Sequence, residues 1–321
     1  MIRSRLLHLP MEDRIFAIVT AAVIAFAVSQ PVLDFSPYYL NFVSNVLIFG
    51  IAALAYNLLH GYTGLIPLGT AGFYMVGAYG GALALRYLGN NFGLGLLGSL
   101  GMSAAFALIV GIIATRIRGV YFLITTFAFS TLPWILIRGP LRDITGGHTG
   151  IHISRIVPPF FFDLHDPFLF LLFTSGTLIA VYIILRVIVS SPFGLSLRCI
   201  KENELKLTSL GYNTWWRKIL AFTISGTLAG FAGYLFLLKN LSISPTLGVF
   251  FISAKVILVA LVGGVGTLVG PLAGTFVWFL VEEFLVAPGL LEIVLGSALV
   301  IVVLRFPSGI IGEFLKSRRW H

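Results

Sequence analysis

Long apolar runs separated by short polar segments recur from one end of this 321-residue chain to the other. A run of about 18 or more apolar residues is long enough to cross the hydrocarbon core of a bilayer as a helix. The pattern therefore predicts an all-α fold, a polytopic transmembrane helical protein with about 8–10 spans. The predicted spans lie near residues 15–33, 38–58, 71–88, 94–115, 119–137, 167–189, 218–238, 252–268, 271–285 and 290–304.

The polar segments are too short to form a sizeable soluble domain. We expect residues 15–305 to form a single transmembrane domain, with residues 1–14 and 306–321 as terminal segments on the cytoplasmic side. The basic start and the apolar run after it resemble a signal peptide, but Glu12 and Asp13 directly before that run favour an uncleaved first helix.

Two glycine-rich stretches, residues 60–72 and 263–274, interrupt the apolar pattern. Glycine and proline weaken or break helices, so we predict broken or re-entrant segments at both places. Transporters use such segments to present free backbone groups to a substrate. Small residues four positions apart also allow close helix packing. For residues 263–274 both interpretations stay open, whereas Pro67 favours a pathway role for the first stretch.

Only 10% of the residues are charged, against about 25% in soluble domains, and the net charge is +9. The basic residues cluster at span ends, which indicates a positive-inside topology rather than nucleic-acid binding. With both termini cytoplasmic, the inner face holds 15 of the 21 basic residues, namely Arg3, Arg5, Arg14, Arg116, Arg118, Arg186, Arg198, Lys201, Lys206, Arg217, Lys218, Arg305, Lys316, Arg318 and Arg319. The outer face holds Arg86, Arg138, Arg142, Arg155 and Lys239, and Lys255 falls within a span.

Residues 191–212 form a charged island within a predicted cytoplasmic segment that extends to residue 214. Pro192 behind Ser191 suits a helix start, and Gly211 suits a helix stop. Between them, apolar positions alternate with charged ones: Ile200, Leu205, Leu207 and Leu210 with Arg198, Lys201, Glu202, Glu204 and Lys206. A helix of this kind between two spans indicates docking by a soluble partner, and a solvated loop is the alternative.

The remaining polar residues do not suggest an enzyme. The histidines and aspartates of residues 138–166 fit no zinc spacing, and residues 145–150 lack the pattern of a phosphate-binding loop. Cys199, as the one cysteine, excludes an internal disulfide and a cysteine-based metal cluster. Lys255 is the clearest charge at membrane depth, a position that is costly and often functional. We predict no catalytic residue, no metal and no cofactor, and hence a permease that takes its energy from elsewhere.

A series of motifs in a fixed order resembles the permease subunits of branched-chain amino acid ABC importers, in particular the M-type subunit of the high-affinity leucine/isoleucine/valine systems. The similarity covers about residues 40–312. Its motifs are Asn57-Leu-Leu-His-Gly-Tyr-Thr-Gly64, Leu68-Gly-Thr-Ala-Gly-Phe-Tyr-Met-Val-Gly-Ala-Tyr79, Arg118-Gly-Val-Tyr-Phe-Leu-Ile-Thr-Thr-Phe-Ala-Phe129, Thr145-Gly-Gly-x-x-Gly150, Ser191-Pro-Phe-Gly-x-x-Leu-Arg-x-Ile-Lys-Glu-Asn-Glu204, Ser209-Leu-Gly211, Ala221-Phe-x-Ile-Ser-x-x-Leu-Ala-Gly-x-Ala-Gly233, Gly263-Gly-x-Gly-x-x-x-Gly-Pro271 and Phe306-Pro-Ser-Gly309.

The resemblance implies a subunit in the cytoplasmic (inner) membrane of a prokaryote. Its implied partners are a homologous second permease, two cytoplasmic ATPases that bind the ATP, and an external or periplasmic solute-binding protein. The implied ATPase-coupling residues are Arg198, Lys201, Glu202, Asn203, Glu204, Leu205, Leu210 and Gly211. The implied substrate path contains Gly61, Gly64, Pro67, Gly69, Thr145, Gly146, Gly147, Lys255, Gly263 and Gly264.

Two departures from the family pattern bear on the substrate. Many members carry Gln and Ser near Leu65 and Pro67, and an acidic residue where this chain has Lys255. A lysine on the path would favour a ligand that bears a carboxylate. Alternatives to branched-chain amino acids are therefore urea, short amides or small carboxylates, and a stand-alone facilitator for a small solute is the alternative to an importer.

Overall fold

The computed structural model describes residues 12–13, 15–20, 36–153, 166–284, 297 and 309. The helices are α1 (Pro37–Asn57), α2 (Thr70–Leu88), α3 (Phe92–Ala114), α4 (Val120–Arg138), α5 (Arg142–Thr145), α6 (Pro167–Ser190), α7 (Pro192–Ser209), α8 (Thr214–Asn240), α9 (Phe250–Gly263) and α10 (Gly270–Phe284). A π-helical turn, Leu58–Thr63, continues α1, and a 3-10 turn covers Pro245–Gly248. Two short strands, β1 (Ile151–His152) and β2 (Ser242–Ile243), pair antiparallel. The described part of the chain confirms the predicted all-α polytopic fold.

Most predicted spans match a helix. Within the described residues, five helices are long and apolar enough to cross a membrane: α1 with its π-helical continuation, α3, α4, α6 and α8. The shorter helices α9 and α10, together with α2, occupy three further predicted spans, although α9 ends at Gly263, before the predicted end at residue 268. Predicted span 290–304, the larger part of span 15–33 and nearly all of the two terminal segments lie outside the described residues.

Polar residues at the helix starts explain where several spans begin. Each of these side chains precedes its helix and accepts a hydrogen bond from a backbone N–H in the first turn, which satisfies a donor that the helix itself leaves free. The caps are Ser36 for α1, Asn91 for α3, Asp166 for α6 and Asn213 for α8. Prolines stand in the first turn of α1 and α6, where a missing N–H costs nothing.

Helix α8 is the centre of the bundle and packs against α1, α2 and α3. Its closest approach is to α2, where the backbones of Gly77 and Gly230 meet with no room for a side chain. Polar contacts join the same helices: Ser225 Oγ donates to Ala55 O at 2.6 Å, and Tyr234 OH donates to Phe92 O at 2.7 Å. Small residues thus allow α2 and α8 to approach closely at Gly77 and Gly230.

Replacing Gly77 by alanine is expected to destabilise the bundle by about 2 kcal/mol, because the added methyl group would overlap the backbone of Gly230. The matched control is Gly101→Ala in α3, where nothing lies within 4 Å of an added methyl group. That change should leave stability equal or slightly higher, because alanine favours a helix. Thermal unfolding of the detergent-solubilised variants, followed by loss of the monodisperse peak, measures the difference; equal behaviour of the two variants would contradict the packing assignment.

Basic residues mark two opposite ends of the bundle. At one end, Arg118 lies 3.7 Å from Glu204 of α7, and Arg186 forms a 3.1 Å ion pair with Asp13. At the other end, Arg86 donates to Ile144 O at 3.4 Å, near the short sheet. We call these ends the α7 face and the sheet face. The grouping agrees with the basic residues that the sequence predicts for each side of the membrane.

Candidate functional site

The charged island folds as helix α7, with the ends that the sequence predicts. Ser191 caps it by accepting a hydrogen bond from Gly194 N at 3.3 Å, and Pro192 occupies the first turn. Gly211, with φ +85°, takes the left-handed conformation that ends the helical segment. Inside α7, Asn203 has non-helical angles (φ −159°, ψ 94°), and its Oδ1 accepts from Lys206 N at 3.0 Å. Asn203 therefore acts as a second cap that restarts the helix after a kink.

One side of α7 is bound to the rest of the chain by apolar contacts and by an ion pair. Leu197, Ile200 and Leu207 are buried. Glu204 accepts hydrogen bonds from Lys218 Nζ at 2.7 Å and from Thr214 Oγ1 at 3.1 Å. These contacts fix α7 to the first turns of α8.

The environment of Glu204 shifts its pKa. Partial burial raises the pKa, but the hydrogen bonds and charges of Lys218, Thr214 and Arg118 outweigh that effect and hold the pKa below the ordinary glutamate value. Glu204 is therefore ionised at neutral pH. Burial lowers the pKa of Lys201 on the same helix.

Further contacts tie α7 to the first glycine-rich stretch. Lys201 Nζ donates to the backbone oxygen of Gly61 at 2.8 Å, and the Arg198 guanidinium lies 5.3 Å from the ring centroid of Tyr62. Arg217, in α8, donates to Ser196 Oγ at 2.6 Å.

The other side of α7 is exposed. Leu205 and Leu210 are 68% and 74% exposed, and Glu202 and Gly211 also lie at the surface. The eight predicted coupling residues thus fall into two groups. Glu202, Leu205, Leu210 and Gly211 are exposed and have no contact described above. The other four make contacts within the protein, although only Glu204 among them is half-buried: Arg198, Lys201, Asn203 and Glu204.

The first glycine-rich stretch breaks the helical backbone as predicted. After the π-helical turn, Gly64 adopts φ +77°, and residues 64–69 are irregular until α2 begins. Thr126 Oγ1 accepts from Leu68 N at 3.1 Å, and Ser253 Oγ accepts from Ala71 N at 2.9 Å. Side-chain hydroxyls from α4 and α9 thus replace the missing helical partners. We call residues 58–69 the first broken segment.

The second glycine-rich stretch breaks between α9 and α10. Residues 264–269 are irregular, and Gly264 and Gly266 have φ of +116° and +91°. Beside the break, Gly263 packs against Gly270 backbone with no room for a side chain. Both predicted interpretations of this stretch therefore have a structural basis: close packing at its ends and non-helical backbone between them. We call residues 264–269 the second broken segment.

The two broken segments contact each other through Asn57, the last residue of α1. Asn57 is fully buried. Its Oδ1 accepts from Gly266 N at 2.9 Å, and its Nδ2 donates to Thr267 O at 2.8 Å. A side chain on Gly61 would overlap both Asn57 and Gly266, so only glycine fits there. Of the predicted path residues, the structure brings Gly61 and Gly64, next to Lys201, together with the second broken segment.

Thr145, Gly146 and Gly147 lie elsewhere, on the sheet face. Thr145 Oγ1 donates to Leu141 O at 2.8 Å and to Ile137 O at 3.0 Å, and is buried. Gly146 and Gly147 have φ of +74° and +55°, so they form the tight turn that leads into β1. Their predicted role on a substrate path stays a prediction for the outer entrance, because the structure places them at the other end of the bundle from Gly61.

Lys255 pairs with a carboxylate from the neighbouring helix. Its Nζ contacts Glu282 Oε2 of α10, and it lies over the ring of Phe279 at 4.2 Å. The pair lines a cleft of about 290 Å³ on the side of α1. The polar residues of this cleft are Tyr38, Asn41, Asn45, Lys255, Glu282 and Glu283.

Sequence reasoning missed Asn57 and Lys218 as individual contributors. Both carried a signal in the sequence, because each falls within a predicted span, where a polar side chain must find a partner. This signal predicts that each residue has a polar partner. It does not identify the partner, because Gly266 lies 209 positions from Asn57 and Glu204 lies on the helix before that of Lys218.

The comparisons with known proteins agree with this arrangement. The sequence model of a family described as "Branched-chain amino acid transport system / permease component" matches residues 38–304. The chain is 32% identical over 272 residues to the high-affinity branched-chain amino acid transport system permease protein LivM of Salmonella typhimurium (strain LT2), covering 77% of this chain and 63% of that protein. It is 33% identical over 247 residues to LivM of Escherichia coli (strain K12), covering 69% and 57%.

The chain thus spans about three fifths of the length of these curated relatives. No solved structure matches. The matched region includes both broken segments and α7. This multi-pass membrane protein belongs to the family of permease components of branched-chain amino acid transport systems.

Proposed function

We propose that this chain is the transmembrane permease subunit of an ATP-driven ABC importer that carries branched-chain or related amino acids into the cytoplasm. Its partners are a homologous second permease, two cytoplasmic ATPases that bind the ATP, and an external solute-binding protein that delivers the substrate. The observation that carries the proposal is α7. One side of this helix is fastened to the spans, and the other exposes Leu205 and Leu210 to a partner.

In this mechanism the ATPases seat on the exposed side of α7. Closure of the ATPase pair on ATP pushes α7, and the Glu204–Lys218 ion pair carries that displacement to α8, the centre of the bundle. Lys218 is nearly fully buried, so the pair is shielded from water and its attraction is stronger than that of a surface pair. The spans then alternate between inward- and outward-facing arrangements.

The substrate class follows from the relatives and from the charged cleft at Lys255. The names of the relatives point to branched-chain amino acids. Lys255 and Glu282 together present both signs of charge, which suits the ammonium and carboxylate groups of an amino acid. Urea, short amides and small carboxylates remain the alternative substrates, and a small-solute facilitator remains the alternative class.

Affinity purification of the chain from its native host in mild detergent tests the proposal. We expect two ATPases and a second permease to co-purify. The complex is then reconstituted into proteoliposomes together with the binding protein. It should transport labelled leucine only when ATP is present on the side of the membrane that carries the ATPases. Recovery of the chain alone, with solute flux that needs no ATP, would establish a facilitator instead.

Substitution at Lys255 tests whether the cleft lies on the substrate path. Lys255→Glu places two carboxylates side by side, and we expect leucine uptake to fall about tenfold because like charges in this setting repel strongly. The exchange Lys255→Glu with Glu282→Lys should restore part of the uptake. The measurements are initial uptake rates and competition by urea and by a small carboxylate.

The matched control is Arg86→Glu, an equal charge change at an exposed position near the end of α2. It should leave uptake unchanged. If Lys255→Ala and Lys255→Glu also leave the uptake rate and the substrate range unchanged, Lys255 does not contribute to the path.

A further inference from the structure

Four parts of the chain meet at the backbone of Gly61. They are the π-helical turn that contains Gly61, the side chain of Asn57, the backbone of Gly266 and the side chain of Lys201. The turn and Gly266 belong to the first and second broken segments, and Lys201 belongs to α7. A single point therefore joins the helix that is proposed to receive the ATPases to both interruptions of the membrane helices.

Lys201 differs from its charged neighbours in its direction. Lys201 and Glu202 are both exposed overall, but Lys201 Nζ donates to Gly61 O at 2.8 Å, and its Cγ lies against Gly64. A lysine carries three donors and no acceptor, so this contact binds a carbonyl oxygen in the last turn before the helix breaks, where carbonyls lack helical partners. Movement of α7 therefore pulls or releases the first broken segment directly.

Asn57 carries the connection onward. Its amide both accepts from Gly266 N and donates to Thr267 O, so it pairs with two consecutive backbone groups of the second broken segment. Because Asn57 is fully buried, loss of either hydrogen bond would leave a polar group without a partner, which costs about 1–3 kcal/mol. These hydrogen bonds therefore connect the second broken segment to the end of α1, and movement of one should displace the other.

The turn between Asn57 and Gly64 is a π-helix, which is rare and is found mostly at functional sites. The turn lies between the two contacts described above, since Lys201 binds Gly61 within it and Asn57 directly precedes it.

We propose that Lys201 and Asn57 form a linkage that transmits displacement of α7 to both broken segments, so that Lys201 acts as a positioning residue for transport rather than as a docking residue for an ATPase. The inference rests on the proposed function, because it needs an ATPase to move α7. It predicts that loss of Lys201 separates ATP hydrolysis from transport.

The test uses the reconstituted importer with Lys201→Met, which keeps the length of the side chain and removes its donor. The matched control is Lys206→Met, an exposed lysine on the same helix. In a Cys199→Ser background, Ile66→Cys places a label in the first broken segment, where Ile66 is 39% exposed. The readouts are ATP hydrolysis with binding protein, leucine uptake, and the rate of maleimide labelling with and without a trapped nucleotide.

We expect Lys201→Met to keep ATP hydrolysis, to lose uptake by about tenfold, and to lose the nucleotide-dependent change in labelling, a loss within the usual range of coupling between sites. Unchanged uptake and an unchanged labelling response in Lys201→Met would overturn the inference. If that variant does not give a monodisperse complex, Lys201→Gln is measured in its place against the same outcomes. Absence of ATP-driven uptake in the unmodified complex would instead overturn the proposed function.

Discussion

Replacing Leu205 and Leu210 by aspartate is expected to abolish ATP-driven uptake and co-purification of the ATPases. The two leucines are 68% and 74% exposed on the outer side of α7, so their replacement removes little contact within the permease. A few apolar anchors usually carry most of the binding free energy of an interface, and each lost anchor costs about 2 kcal/mol or more. Two losses of that size reduce affinity about a thousandfold.

The matched control is Leu88→Asp, because Leu88 is 67% exposed and ends α2 near the sheet face. The control should retain ATPase binding and uptake. Both variants should insert and remain monodisperse. ATPases recovered at the unmodified level with the Leu205→Asp, Leu210→Asp variant would show that they dock elsewhere on the permease.

The sequence predicts the helices of this protein well because the signals that define a helix, its apolar length and its end residues, lie within the helix or next to it. A lipid-facing or buried span must be apolar over its whole length, and Asp166 followed by Pro167 marks a helix start without any knowledge of the fold. Pro192 and Gly211 locate α7 in the same way. Gly64 ends the helical segment between α1 and α2, because glycine readily adopts the left-handed conformation found there, with φ +77°.

The sequence does not reveal which charged residues of α7 make contacts with the rest of the chain. All of them resemble solvated or docking residues, because no local pattern separates Glu202 from Glu204. The difference arises from partners that the fold supplies: Lys218 lies on the next helix, and the backbone of Gly61 lies 140 positions away from Lys201. Both contacts depend on how α1 and α8 pack, which the sequence does not state.

The same limit applies to Lys255. Its apolar surroundings identify it as a costly charge, but they do not identify the group that compensates it. The second broken segment folds α10 back against α9, and this return brings Glu282 to Lys255. The compensating carboxylate is thus a consequence of a glycine-rich break that was itself predictable.

Two of the polar contacts that hold α7 differ in what they reach. Lys201 binds the π-helical turn of the first broken segment, whereas Glu204 binds Lys218 in the first turns of the central helix. Both contacts lie on the proposed route of movement, one to the broken segments and the other to α8. The Glu204–Lys218 ion pair also holds α7 against α8, so its removal should lower stability as well as transport.

Glu204→Ala is accordingly expected to lower the stability of the permease by about 2 kcal/mol, because it leaves the buried Lys218 ammonium without the half-buried carboxylate that compensates its charge. Lys218 is only 4% exposed and cannot recover its hydration without movement of the helix end. The double variant Glu204→Leu, Lys218→Leu should regain much of the loss, since apolar residues can replace a buried pair. The control is Glu202→Ala, an exposed residue on the same helix, which should change little.

The stabilisation of the fold by Glu204 should be larger at neutral pH than in acid. The hydrogen bonds and charges around Glu204 hold its pKa in the folded protein below the ordinary value, so the ionised group stabilises the fold at neutral pH. That contribution is fully present above about pH 5 and is lost as the pH falls from the unfolded pKa of about 4.3 through the lower folded pKa. Thermal unfolding of the unmodified protein and of Glu204→Gln should therefore differ most at neutral pH and converge as the pH falls below 4.3. A difference that persists unchanged into acid would show that Glu204 stabilises α7 by packing rather than by its charge.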